Sequence, residues 1–163
     1  MPITGFLKVP DIAGESKRAG HEDEIDIHGI EWGVAQKAKA ARPGSGRTRQ
    51  RAIVSPLEVH KFYDASSPYL ALAAMQGKSF DEIVLSVRKD SGDVHLDYLV
   101  ITLTNCAISA YGLFNDGVDD PLTTISERVS ITFEQVAVKY TVQAEDHSAG
   151  DEHEIEYDVA AGA

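Results

Sequence analysis

The sequence predicts a mainly β fold: a compact β-barrel of two packed antiparallel sheets, with one flanking α-helix over about 67–77 and a long extended loop over about 36–51. Three observations lead there. Short runs in which apolar and polar residues alternate dominate the chain and are broken by Gly, Pro, Asn and Asp, the pattern of an all-β sandwich or barrel. A single segment carries helix start and stop signals that agree with each other. The 163 residues, 43% hydrophobic and 25% charged, fit one domain spanning 1–163 and argue against disorder, collagen-like repeats and coiled coil. A chain of this length buries roughly two-thirds of its unfolded surface and needs no covalent staples.

In chain order, Phe6, Lys8 and Pro10 alternate with Leu7 and Val9 in a first strand. Asp26, His28, Ile30, Trp32 and Val34 share one face of a second, with Trp32 marking the core side, while Ile25, Ile27, Gly29, Glu31 and Gly33 share the other. A third runs from about Arg51 to Phe62 on Ile53, Leu57 and Val59, and Pro56 makes it bulge or lie at an edge. The helix is bounded by Ser67 as N-cap, Pro68 at the first helical position and Gly77 as the left-handed residue that ends it, with Tyr69, Leu72, Ala73 and Met75 or Gln76 facing the sheet. Ile83, Leu85 and Val87 belong to a fourth strand.

From Val94 to Phe114 the pattern is nearly continuous, with Leu99, Val100, Ile101 and Leu103 apolar on both faces, so this stretch needs cover on two sides. Turn residues over Asn115–Pro121 end it. Val129, Ile131 and Phe133 then hold one parity and Val136, Val138, Tyr140 and Val142 the other, which predicts a β-bulge at Glu134 and Gln135 that bends the strand around a corner. Ile155, Tyr157 and Val159 alternate with Glu154, Glu156 and Asp158 in a last strand with one core face and one acidic face.

Charge narrows the function. Fifteen Lys and Arg against 26 Asp and Glu leave a net charge of −11, which argues against binding nucleic acid or anionic lipid through the whole surface. The charges are also segregated. Lys37, Lys39, Arg42, Arg47, Arg49 and Arg51 make 37–51 a +6 loop without an acid, and the acidic segment 144–163 carries −7 between Glu145 and Asp158. Opposite segments on one chain can set register and polarity between copies, so these six bases with Glu154, Glu156 and Asp158 are candidate subunit contacts. The single cysteine, Cys106, excludes an internal disulfide and reads as a core residue. The N-terminal segment lacks the pattern of a classical signal peptide, and no apolar run has the length of a membrane span.

Catalytic chemistry needs titratable groups at recognisable spacings, and none appears. Gly44-Ser45-Gly46-Arg47-Thr48 lacks the lysine and glycine spacing of a phosphate loop. His147 and His153 lack tetrahedral metal-ligand spacing, and Asp116, Asp119 and Asp120 lack the alternation of a calcium loop. His21, His28 and His60 lie far apart, and no serine or cysteine sits in a nucleophile elbow. No catalytic residue, metal ligand or cofactor is expected.

Several segments together resemble the hemolysin-coregulated protein (Hcp) family, the tube proteins of bacterial type VI secretion systems. They are Asp11-Ile12-Ala13-Gly14-Glu15-Ser16-Lys17, His21, Glu24-Ile25-Asp26-Ile27, Trp32-Gly33, Lys61, Ser66-Ser67-Pro68, Gly77-Lys78, Leu122-Thr123-Thr124 and Ile131 to Val136 with Tyr140. The resemblance implies a non-enzymatic subunit that forms homohexameric rings stacking head to tail. It implies as partners a spike at the tube tip, a contractile sheath and baseplate, and small effectors in the lumen, with assembly in the cytoplasm before secretion. With Ile30, Trp32 and Val34 inward, Glu31 points outward between two glycines and is a lumen candidate; a solvent-facing or subunit-contact glutamate is the alternative. The competing readings are a monomeric or dimeric barrel that binds a ligand in its interior, and a hydrolase or metal enzyme whose constellation forms only in space.

Overall fold

The structure, a computed structural model, describes residues 3–36, 52–115, 117 and 125–163. Within these, the strands are β1 (Thr4–Lys8), β2 (Ile25–Ile27), β3 (Gly29–Glu31), β4 (Val34–Ala35), β5 (Ile53–Val54), β6 (Leu57–Phe62), β7 (Ser79–Ser91), β8 (Val94–Phe114), β9 (Ser126–Gln143) and β10 (Ala149–Asp158). The helix α1 (Ser67–Gln76) lies between β6 and β7. Eight strands make one antiparallel sheet in the order β2-β1-β7-β8-β9-β6-β3 with β10 added to β9, and β4 pairs β5 separately.

The two ends of that order, β2 and β3, are consecutive in the chain and separated by His28 alone. Successive Cα atoms stand about 3.8 Å apart, so the sheet edges cannot part and the sheet closes on itself. The His28 backbone ties the seam: its N–H donates to the His60 carbonyl at 2.9 Å and its carbonyl accepts from the Ile3 N–H at 3.0 Å. The expected antiparallel barrel with one flanking helix is therefore present, and its two layers belong to one continuous sheet. Leu7, Ile25, Leu57, Leu85, Leu103 and Ile131 fill the interior and are essentially inaccessible to solvent.

A straight strand of 21 residues would extend about 70 Å, whereas a domain of this size has a radius of gyration of about 15 Å, so β8 must bend. The bend is at Asn105, which holds a left-handed φ of 49°. Before it Ile101 and Leu103 are buried and after it Cys106 and Ile108, so the inward parity switches there. On β9 the switch falls between Ile131 and Val136, where the sequence places the corner. The expected bulge at Glu134 and Gln135 is absent, because pairing keeps one register from Cys106–Phe133 to Thr104–Gln135. A left-handed residue on the facing strand takes the turn instead of an inserted one.

Four other expectations are corrected. The second strand is broken into β2, β3 and β4, and its inward parity changes at the His28 seam: Ile25 and Ile27 are core residues, Asp26 is exposed, and only beyond His28 do Ile30 and Trp32 pack inward. Val34, on the expected core face, is exposed. Pro56 splits the third strand rather than bulging it: Ile53 in β5 is exposed, while β6 runs between β9 and β3 in the interior of the sheet. On α1 the buried residues are Ser67, Leu70 and Ala73, packed towards β8, whereas Tyr69, Leu72 and Met75 face outward. Gly77 closes the helix in the left-handed conformation as expected (φ 62°), but the N-cap is Ser66, because the Ser67 hydroxyl is turned into the core.

Candidate functional site

The acidic candidates Glu154, Glu156 and Asp158 lie on β10, which pairs with β9 along one edge only. β9 divides its outer edge between two strands: Ser126 to Ile131 pair with β6, and Gln135 to Gln143 with β10. Beyond β10 no strand follows among the described residues, so its far edge presents unpaired backbone groups. Glu154, Glu156 and Asp158 stand opposite Lys139, Ala137 and Gln135, on the face away from the core, beside Thr102 and Thr104 of β8. All of these but Lys139 line a depression of about 520 Å³.

The three acids are not equivalent. Asp158 is engaged in the chain's final turn, accepting from the Ala161 N–H at 2.8 Å and from Gln135 Nε2 at 3.3 Å. Glu154 and Glu156 make no ion pair among the described residues, and the neighbouring Lys139 pairs with Glu152 at 3.4 Å instead. The expected core face of this strand is confined to its end, where Tyr157 packs inward; Ile155 is exposed because the barrel has already closed beneath it. The basic candidates Lys37, Lys39, Arg42, Arg47, Arg49 and Arg51 lie outside the described residues, as do Asp116, Asp119 and Asp120.

Glu31 is exposed at the end of β3 and points away from the core, as its parity predicts. Its cross-strand partner on β6 is Glu58, and His60 lies two residues further along the same face, its Nε2 2.8 Å from Glu58 Oε1. One ligand atom from each of Glu31, Glu58 and His60 falls within 4.8 Å of the others.

Inside the barrel lies a charged cluster that the sequence reading missed. Lys61 and Glu127 are both fully buried and paired at 2.5 Å. Lys61 Nζ also donates to Ser67 Oγ at 2.9 Å and to the Phe62 carbonyl at 3.0 Å, and lies 3.1 Å from the Asp64 carboxylate. The other Glu127 oxygen accepts from the Tyr111 hydroxyl. Burial and the adjacent carboxylate push the Tyr111 phenol upward, so Tyr111 remains a donor. The cluster ties β6, β8, β9 and the start of α1 together. A signal for it existed: Lys61 shares the parity of Leu57 and Val59, and Glu127 that of Val129 and Ile131, so each strand carries one charge on its apolar face.

A second clamp fixes the segment before β2. His21 is buried with Nδ1 2.9 Å from Glu24 and Nε2 2.7 Å from Asp97, and it stacks on Phe6 at 4.3 Å. Arg88 donates to Asp97 at 2.9 Å and to the Ala19 carbonyl at 3.0 Å. Burial works against the Asp97 carboxylate, but Arg88 and His21 outweigh it and hold its carboxyl below the ordinary range. Gly14 is required by a close approach, since a Cβ there would come within 2.4 Å of the Glu24 carbonyl. His21 thus stands between two carboxylates, with both ring nitrogens engaged. Cys106 is buried in the core as expected, and burial pushes its thiol up to about 11.

This barrel has known counterparts. The family described as "Type VI secretion system effector, Hcp" matches residues 6–140. The chain belongs to the Hcp family. It is 34% identical over 147 residues to Protein hcp1 of Pseudomonas aeruginosa, covering 90% of this chain and 88% of that protein. Hcp1 from Salmonella typhimurium superimposes with a TM-score of 0.78 at 28% identity, over 99% of this chain and 97% of that one. A structure described as that of a type six secretion system protein has a TM-score of 0.89 at 23% identity, over 99% of this chain and 98% of that one. Hcp proteins are structural components secreted by the type VI system, not enzymes, and membership implies assembly into oligomeric rings. Among the described residues no helix is long and apolar enough to cross a membrane.

Proposed function

We propose that the chain is the tube subunit of a type VI secretion system: it forms homohexameric rings that stack head to tail, and sheath contraction propels the stack outward with its spike. The observation that carries the assembly is the edge of β10, free among the described residues, with Glu154 and Glu156 on the strand's outer face making no ion pair among those residues. Like charges at alternate positions on one strand face repel each other, and an exposed strand edge invites pairing. A basic surface of a second copy relieves both, and the +6 segment from Lys37 to Arg51 is the complementary charge this chain carries. Two unlike patches on one subunit make a heterologous contact, which closes to a ring around one axis and propagates along another. Individual exposed pairs contribute about 0–1 kcal/mol, so the charges set polarity and register more than affinity. On this reading outward-facing Glu31 belongs to the lumen wall, where small effectors are held. Among the described residues the barrel interior is lined by closely packed buried apolar side chains, which counts against an internal ligand as the monomeric alternative requires.

The test is a charge swap. Negative-stain images and sedimentation of the wild type should give annular particles. Reversing Glu154 and Glu156 to Lys, or Arg47, Arg49 and Arg51 to Glu, should weaken their stacking and change its salt dependence, and combining the two sets should restore it. A lone protomer at every concentration, or stacking indifferent to all three variants, refutes the assignment.

A further inference from the structure

We propose that Glu31, Glu58 and His60 form a binding site for a divalent transition-metal ion, with Zn²⁺ as its probe, on the outer face of the barrel beside the His28 seam. Two carboxylates and an imidazole are a donor set suited to Zn²⁺ and related ions. Antiparallel pairing sets Glu31 directly against Glu58 and places His60 on the same face, so all three donors converge from backbone that the sheet holds in register. Their ligand atoms already lie within 4.8 Å of one another. Around a zinc ion such atoms stand about 3.3 Å apart, which a rotation of the exposed Glu31 side chain supplies. Three protein ligands leave a coordination position open to solvent.

Three further features of the same neighbourhood agree. Two glutamates facing each other across strands repel unless a cation lies between them. Glu58 has His60 and, at 3.9 Å, the exposed Arg128, but Glu31 has no partner among the described residues. Gly29 is not required by its backbone, which has no positive φ, yet a Cβ there would come within 3.1 Å of His60 Nδ1, so glycine leaves the imidazole room. His28, packed on Phe62 at 4.4 Å next to His60 on the same side of the seam, has a buried Nε2 with no hydrogen-bond partner among the described residues. Sequence spacing hides the site because its donors come from two strands that meet only on folding.

Calorimetric titration of the full chain with ZnCl₂ tests this, with Co²⁺ visible absorption as a second readout. One ion per subunit is expected. Glu31→Gln, on an exposed side chain, and His60→Asn should each weaken binding by at least about 10-fold. Asp93→Asn, in the exposed turn between β7 and β8, should leave it unchanged. Absence of saturable binding by the wild type, or affinity unaltered in both site variants, overturns the assignment; the second result places the ion elsewhere, as at His147 and His153. Ring assembly is read separately by microscopy, so this site and the tube function stand or fall independently.

Discussion

Replacing Lys61 by Met should destabilise the barrel more than replacing Lys61 and Glu127 together. In the single variant the Glu127 carboxylate stays in a fully buried site and keeps Ser67 Oγ, at 2.6 Å, and the Tyr111 hydroxyl as donors, but loses the one cation paired with it among the described residues. An uncompensated buried charge of this kind costs about 3–5 kcal/mol, a large share of the roughly 5–15 kcal/mol that holds a domain folded. Glu127→Gln alone is milder, because Asp64 still faces the Lys61 ammonium at 3.1 Å, the Gln oxygen can still accept from Lys61 and Ser67, and the amide NH2 that replaces Oε2 can donate to the Tyr111 oxygen; we expect about 1–3 kcal/mol. In Lys61→Met with Glu127→Gln no formal charge remains between the two positions, and the loss should fall below that of Lys61→Met alone. Urea unfolding at one fixed subunit concentration is the assay, since assembly adds to apparent stability. For a chain of this length each kcal/mol moves Tm by about 2–4 °C, so Lys61→Met should lower it by about 6–20 °C. A double variant as unstable as the sum of the two singles would refute the argument, because it would mean that the buried charges do not couple.

Two further outcomes follow from the same geometry. Asn105→Ala should cost about 1–2 kcal/mol and Asn105→Gly less, because only the alanine is strained at a φ of 49°; equal losses in denaturant unfolding would point to the Glu134 contact instead. The Asp97 carboxyl titrates below its unfolded value, so its contribution is present above about pH 4 and is lost as pH falls through the depressed folded value. The stability gap between wild type and Asp97→Asn should therefore shrink between pH 5 and pH 3, and a constant gap would contradict the clamp.

Much of this fold is legible before folding, for identifiable reasons. The span of β8 matches the apolar run from Val94 to Phe114, and Gly77 ends the helix where its left-handed φ predicts, because both signals are local. Parity reasoning fails where the chain leaves one wall of the barrel for another. At His28 the inward side changes within one residue, so Asp26 and Trp32 share a sequence parity without sharing an environment. The outward stripe of Tyr69, Leu72 and Met75 has the spacing of a core face, and only the packing of Leu70 and Ala73 towards β8 decides which side is buried. The acidic strand is visible as such, but its free edge is a property of topology. The Glu31, Glu58 and His60 cluster is invisible in the sequence, since strand pairing alone juxtaposes it.

The seam at His28 also bears on how the barrel forms. Joining the first and last edges of a closed sheet normally demands a long loop, and the entropy lost grows with the logarithm of its length. Here the edges that meet are tethered by one peptide unit, so once β1 has found β7 and β6 has found β9, little chain freedom remains to be lost in closing the cylinder. The slow, non-local search is thereby confined to the docking of β1 and β6 on the long central hairpins, and the final ring closure is as local an event as a turn.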